Sequence, residues 1–201
     1  MSLFASPAWE TLTYWSLDLE TGGLDAKRDA ILEVGMVPIR DGVVRIGDAY
    51  TSRVRPEPSF AVSAQSVAVH GLTPAELAHA PPLGEVLDAV DARLREGVLL
   101  VHHASIDEAF LRRAYKEQRR AWPKPVVLDT ANLLFSLHAR KSFLDPERTP
   151  GDPELNLTAA RRALGLPDYP AHDALTDAVA TAELFLVVRH RLGARRLRDL
   201  R

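Results

Sequence analysis

Five side chains in this sequence could do hydrolytic chemistry together: the carboxylates of Asp18, Glu20, Asp107 and Asp177, and the imidazole of His172. In Tyr14-Trp15-Ser16-Leu17-Asp18-Leu19-Glu20 the two acids stand at alternate positions. In a strand they share one face, and Leu17 and Leu19 take the other. Asp is depleted in strands, and an ionised carboxylate beside a core is costly unless a cation or hydrogen bonds compensate it. Taken alone, the pair reads equally well as the solvent side of an edge strand. Asp107 follows the run ending in Val101-His102-His103, and Asp177 closes His172-Asp173-Ala174-Leu175-Thr176-Asp177. Four separated carboxylates can converge on one sheet. Hard divalent cations such as magnesium prefer carboxylate oxygen and keep several waters, so they use few protein ligands plus substrate phosphate. Two such ions lower the pKa of an attacking water and stabilise the leaving oxygen of an in-line phosphoryl displacement. His172 is placed to accept the proton, because an imidazole titrates near neutrality.

The elements that must position these groups are legible as patterns. Tyr14 to Leu19, Ile31 to Ile39 and Val43 to Val54 read as three strands, the last two joined by the turn signal Asp41-Gly42. Leu83, Val86, Leu87, Val90 and Leu94 fall at helical spacing, and Gly97 hands over to the buried strand Val98 to Val101. A helix over Ala104 to Arg120, a short strand over Val126 to Asp129 and a helix over Ala131 to Arg140 follow. The stretch from His138 to Glu154, rich in proline and charge, reads as a mobile loop, and Leu157 to Leu164 and Ala174 to His190 read as helices. An antiparallel meander followed by helix–strand alternation predicts an α/β architecture: a mixed sheet, antiparallel and then parallel, flanked by helices.

Composition narrows the chemistry. The 201 residues suit one domain, and they contain no cysteine, which removes thiolate nucleophiles, disulfides and cysteine-bound zinc. No apolar run approaches the ~20 residues of a membrane span, and no leader is read at the start, so a cytoplasmic protein without a membrane partner is expected. A formal net charge of −2 does not mark a nucleic-acid binder. Local basic clusters do occur: Arg112, Arg113, Lys116, Arg119 and Arg120, then Arg189, Arg191, Arg195, Arg196, Arg198 and Arg201. Each reads as a solvated helix face or as a phosphate-binding patch.

Three motifs in this order resemble the DEDDh exonucleases, the superfamily of the proofreading epsilon subunit of DNA polymerase III. They are Asp18-Leu19-Glu20-Thr21-Gly22-Gly23-Leu24, His102-His103-Ala104-Ser105-Ile106-Asp107, and His172 to Asp177 with its His-x-Ala-x-x-Asp pattern. Val69-His70-Gly71-Leu72-Thr73 and Leu128-Asp129-Thr130 resemble two further family segments. The resemblance implies a ribonuclease H-like fold over residues 13–193, with 1–12 as an N-terminal extension and 194–201 as a basic tail. It implies two divalent cations, Mg²⁺ or Mn²⁺. Asp18, Glu20 and Asp177 would hold one, Asp18 would bridge to the second, and Asp107 would help there. His172 would be the base. Thr21, Gly22, Leu24, His70 and Ile106 would meet the terminal nucleotide, with backbone amides near its phosphate or sugar and Leu24 wedged against a base. His103 and Ile106 stand where the family usually has Asn and Phe, which changes the packing expected at that spot. Asp173 reads as a helix N-terminal acid and Asp129 as structural support. The other histidines, His102 among them, carry no distinguishing pattern.

The implied activity is removal of nucleoside monophosphates from the 3′ end of a nucleic-acid strand, with single-stranded DNA favoured because His70-Gly71-Leu72-Thr73 looks epsilon-like. The implied partners are single-stranded 3′ ends and a polymerase. RNA trimming by the same residues, and a non-catalytic exonuclease-fold partner of a polymerase, are the alternatives. Asp18-Leu19-Glu20-Thr21-Gly22 also resembles the Asp-x-Asp-x-Thr motif of haloacid-dehalogenase-type phosphatases, in which Asp18 would attack phosphate covalently. That reading leaves His172-x-Ala-x-x-Asp177 without a role.

Overall fold

Strand β1, Tyr14–Thr21, lies at the centre of a six-stranded mixed sheet in the computed structural model, which describes residues 6–145, 151–170 and 172–201. It pairs antiparallel with β2 (Ile31–Arg40) on one side and parallel with β5 (Val98–Val101) on the other, and β6 (Val127–Asp129) extends the parallel half. β3 (Val43–Val44) and β4 (Tyr50–Arg53) both pair with β2. The mixed sheet expected from the pattern is therefore present, with one correction. The expected third strand is two short pieces, because Pro38 of β2 has no N–H for the ladder and a single-turn 3₁₀ helix at Ile46–Asp48 fills the gap. The Asp41-Gly42 turn has positive φ at both residues, as a tight hairpin between right-twisted strands requires.

Alternation along the strands sorts side chains into two cores. Trp15, Leu17 and Leu19 of β1 face α3 (Leu83–Glu96) and α4 (Ala104–Glu117), together with Val34, Met36, Leu99 and Val101. Tyr14, Val37, Ile39, Val98 and Leu100 face α5 (Thr130–Leu144), α6 (Leu157–Ala163) and the long α7 (Ala174–Leu192). Helix α5 runs further than expected and takes up the first part of the predicted loop; it ends where Asp145, ahead of Pro146 in the sequence, leaves the helical region at φ −148° and ψ 78°. Residues 146–150 of that predicted loop lie outside the described residues. Two short helices were not anticipated, α1 (Ala64–His70) and α2 (Pro74–Leu77). Caps rather than apolar periodicity define them. Ser63 caps α1, Gly71 ends it in the left-handed region, and Thr73 and Glu76 form a capping box on α2.

The first and last of the described segments meet at the start of β1. Trp9 and Leu200 are buried in the same core, Trp9 N–H donates to the Arg195 carbonyl at 3.1 Å, and the Arg189 guanidinium stacks 4.0 Å over the Trp9 ring. Among the described residues no helix is long and apolar enough to cross a membrane.

Candidate active site

Strand alternation puts Ser16, Asp18 and Glu20 on the face covered by α7. Asp18 is registered against Gly35 of β2, and a Cβ on Gly35 would lie 2.2 Å from the Ala174 carbonyl. Only glycine lets the first turn of α7 lie directly on the sheet here. Ser16 Oγ donates to the Ala178 carbonyl at 2.8 Å and fixes the helix in that place. Asp173 caps α7 through Thr176 N–H, as its position at a helix start suggested, and Asp177 projects from the first turn. His172 has φ of 69° and donates its backbone N–H to Asp177 Oδ2 at 2.8 Å. Glu20, His172 and Asp177 can each present a ligand atom within 4.8 Å of the others. Asp107 comes from the first turn of α4, and with Asp18, Glu20, Asp177 and His172 it lines one cleft of about 720 Å³.

The charges in this cleft are uncompensated. Asp18 is held well above the usual carboxylate range by burial, and then by Asp107, Asp177 and Glu20. Burial lifts Glu20 to about 7, with Asp177 and Glu33 adding to the effect. Asp107, only 6% exposed, is raised by burial against the opposing pull of its own and the Leu19 backbone N–H groups. Asp177 is raised by burial, less the His172 hydrogen bond. Glu20 is 8% exposed and has no hydrogen-bond partner among the described residues. Converging, half-dehydrated carboxylates of this kind fit hard divalent cations, which supply the missing positive charge and accept oxygen ligands.

The rest of the cleft is shaped for a larger, partly apolar ligand. Leu24, 82% exposed, and the exposed Val69 and Ile106 line it with Thr21, Ser63, Gln65, Ser66 and His70. His70 Nδ1 accepts the Leu72 N–H, so its Nε2 carries the proton; burial holds its pKa below the usual imidazole value, and the Thr21 backbone partly offsets this. Gly22 departs from expectation. Its N–H donates to the Ala30 carbonyl at 2.8 Å and its carbonyl accepts from Ser63 N–H and Ser66 Oγ, so that amide belongs to the scaffold and not to a phosphate site.

Sequence reasoning assigned His102 and Glu33 no part at the cleft, and His103 only a change of packing there. His102 and His103 both line it, and each places Nε2 on the Leu155 carbonyl, at 2.7 and 3.0 Å. They hold the segment that brings Asn156 and Leu157 to the opposite wall. Glu33, registered against Glu20, accepts the Ala174 N–H at 3.4 Å. Its place opposite Glu20 was the available signal, visible only once the register is known. Asp129 is structural, as expected: it accepts the N–H groups of His103, Ala104 and Ala131 and so caps α4 and α5 together. The basic cluster on α4 is largely spoken for. Arg112 pairs with Glu108, Arg120 with Asp88, and Arg113 donates to the Asp29 carbonyl while stacking 4.0 Å over Phe60.

The family model for exonucleases matches residues 16–185, a span that contains all four carboxylates and His172. The chain belongs to the DEDDh 3′–5′ exonuclease family. The DNA polymerase III PolC-type protein of Thermotoga petrophila is 33% identical to this exonuclease domain over 180 residues, 89% of the chain and 12% of that protein. The DNA polymerase III subunit epsilon-like protein of Rhodobacter capsulatus is 32% identical over 197 residues, 98% of the chain and 26% of that protein. The domain thus spans a minor part of the length of these relatives. Among solved structures, Escherichia coli exonuclease I in complex with a dT13 oligonucleotide superposes with a TM-score of 0.76 at 20% identity, over 90% of this chain and 42% of that one. The zinc-bound complex of Escherichia coli exonuclease I with single-stranded DNA gives 0.74 at 21% identity, over 90% and 41%. At such identities the likeness shows a shared fold.

Proposed function

We propose that this exonuclease domain removes nucleotides one at a time from the 3′ end of single-stranded DNA, releasing nucleoside monophosphates, with two divalent cations and His172 as general base. The observation that carries the reading is the convergence of Asp18, Glu20, Asp107, Asp177 and His172 in one cleft that is otherwise lined by apolar and neutral polar side chains and by further histidines. Asp18, Glu20 and Asp177 would hold one Mg²⁺ or Mn²⁺, and Asp18 with Asp107 a second. Bound there, the cations would acidify the attacking water and neutralise the charge developing on the phosphate and the leaving oxygen.

The chain's own groups do the rest. His172 takes the proton at an imidazole nitrogen, with its main chain tethered by Asp177 so that the ring stays beside the reacting centre. Leu24 and Ile106 provide apolar surface against the terminal base and sugar, and the His70 side chain lines the same part of the cleft. Similarity in fold to exonuclease I bound to oligonucleotides supports a single strand as substrate, and the PolC-type and epsilon-like relatives support a polymerase partner in the cytoplasm.

The test is a 5′-labelled DNA oligomer and its RNA counterpart, incubated with Mg²⁺ and with chelator. The expected result is a stepwise ladder from the 3′ end of DNA that chelator abolishes and Mg²⁺ or Mn²⁺ restores. Faster shortening of the RNA would move the substrate to the RNA-trimming alternative, and efficient cutting of a closed single-stranded circle would refute the exonucleolytic reading altogether.

A further inference from the structure

We propose that the buried Arg161, acting through Glu183 and Tyr169, is a positioning residue that holds His172 where the reaction needs its imidazole. This role rests on His172 being the proton acceptor.

Leu157, Ala160 and Leu164 mark the inward stripe of α6, and Arg161 stands on that stripe, where an apolar side chain is the ordinary occupant. It is 2% exposed. Its Nη1 donates to the Ala180 carbonyl of α7 at 2.7 Å, and its Nη2 donates to Glu183 Oε2, also of α7, at 2.8 Å and to the Pro167 carbonyl at 3.0 Å. The guanidinium lies 4.6 Å over the Tyr169 ring, whose hydroxyl donates to Glu183 Oε1 at 3.0 Å. One buried cation thus ties α6, α7 and the segment entering α7 together. A well-packed apolar residue would stabilise such a spot about as well as a buried ion pair does. What the arginine adds is direction, because its donors are fixed in a planar fork.

The segment so anchored carries His172. Tyr169 stands three residues before it, and Pro170 between them locks its own φ and keeps Tyr169 out of the helical region, so a shift of Tyr169 is passed along the chain. His172 needs such support. Its φ of 69° is one that a residue with a side chain rarely adopts, and strain of this kind persists only where the surroundings over-determine it. His172 is exposed, so packing gives its ring little hold, and the Asp177 tether fixes only its backbone N–H. The Arg161 anchor supplies the second restraint, upstream of the strained residue.

The experiment measures kcat and KM at saturating Mg²⁺, on whichever oligomer the protein shortens faster, DNA or RNA. The variants are Arg161→Met, Tyr169→Phe, His172→Ala and the two doubles that combine His172→Ala with each of the others. Thermal unfolding checks that each is folded, and Tyr169→Phe, which removes one hydroxyl at a half-buried position, carries the test if Arg161→Met is not. Arg161→Met should lose on the order of 10² in kcat, the cost of a displacement of about 1 Å at a reacting group, with KM within about three-fold of native. Tyr169→Phe should lose roughly 3–10-fold in kcat, the weight of one hydrogen bond, and nothing in KM. Combined with His172→Ala, neither substitution should lower kcat further, since a residue that acts through a missing ring has nothing left to position. Manganese affinity of Arg161→Met, by isothermal titration calorimetry, should stay within about three-fold of native, because the oxygen ligands keep their places. Native kcat in both single variants overturns the positioning role, and so do losses that multiply with that of His172→Ala. A fall in manganese affinity matching the fall in kcat also overturns it, by placing the effect at the carboxylates. A native rate for His172→Ala itself refutes the proton acceptor and the positioning role with it, whereas an impaired His172→Ala beside unimpaired Arg161→Met and Tyr169→Phe refutes the positioning role alone.

Discussion

Replacing Glu20 by Gln should make the metal-free protein more stable and the enzyme nearly inactive. Within the fold the Glu20 carboxyl is pushed from 4.5 to about 7, chiefly by burial and then by Asp177 and Glu33. A raised folded-state value means that the folded protein binds this proton more tightly than the unfolded chain does. The stabilisation it gives is complete below pH 4.5 and is lost as pH rises through about 7. Keeping Glu20 ionised at pH 8 without metal therefore costs about 3 kcal/mol, at 1.36 kcal/mol per decade. Gln keeps the shape and removes that cost. For a domain of this size each kcal/mol moves Tm by about 2–4 °C, so Glu20→Gln should melt about 6–12 °C above the native protein in chelator at pH 8. At pH 5 the gap should shrink toward nothing, and added manganese should raise the native Tm far more than that of the variant. Differential scanning calorimetry at the two pH values, with and without metal, reads all three effects. A variant no more stable than the native protein in chelator at pH 8 would refute the argument that Glu20 is held in the cleft as an uncompensated charge.

His172→Ala should retain oligonucleotide and manganese binding while turnover falls on the order of 10² to 10⁴, the usual share of a positioned acid–base group, measured by single-turnover cleavage. Asp177→Ala should lower turnover by several orders of magnitude at near-native Tm, because it removes charge from the site rather than apolar packing. Gly35→Ala forces a Cβ against the Ala174 backbone, so it should cost about 1–3 kcal/mol in denaturant titration and on the order of 10² in rate as α7 lifts Asp177 from Glu20. Asp129→Ala removes the cap of two helices at once and should cost about 1–4 kcal/mol, twice an ordinary cap, in the same titration.

The candidate site was legible in the sequence because its groups stand at fixed local spacings. Alternation in β1 sets Asp18 and Glu20 on one face whatever surrounds them, and the five-residue step from His172 to Asp177 spans a capped helix start. The strands and the long helices were likewise legible from apolar periodicity, since that period is the burial itself. Elements defined by caps instead of periodicity, such as α1 and α2, gave no such signal, and neither did the break in the third strand, which depends on a proline in its neighbour. What only the tertiary structure decided are the contacts between segments far apart in the chain. Gly35 admits α7 to the sheet, His102 and His103 share the carbonyl of Leu155 some fifty residues on, and Gly22 spends its amide on Ala30 rather than on a ligand. Local pattern fixes the face on which a side chain stands, but which distant backbone comes within hydrogen-bond reach of it is set by packing, and no short spacing in the chain records that.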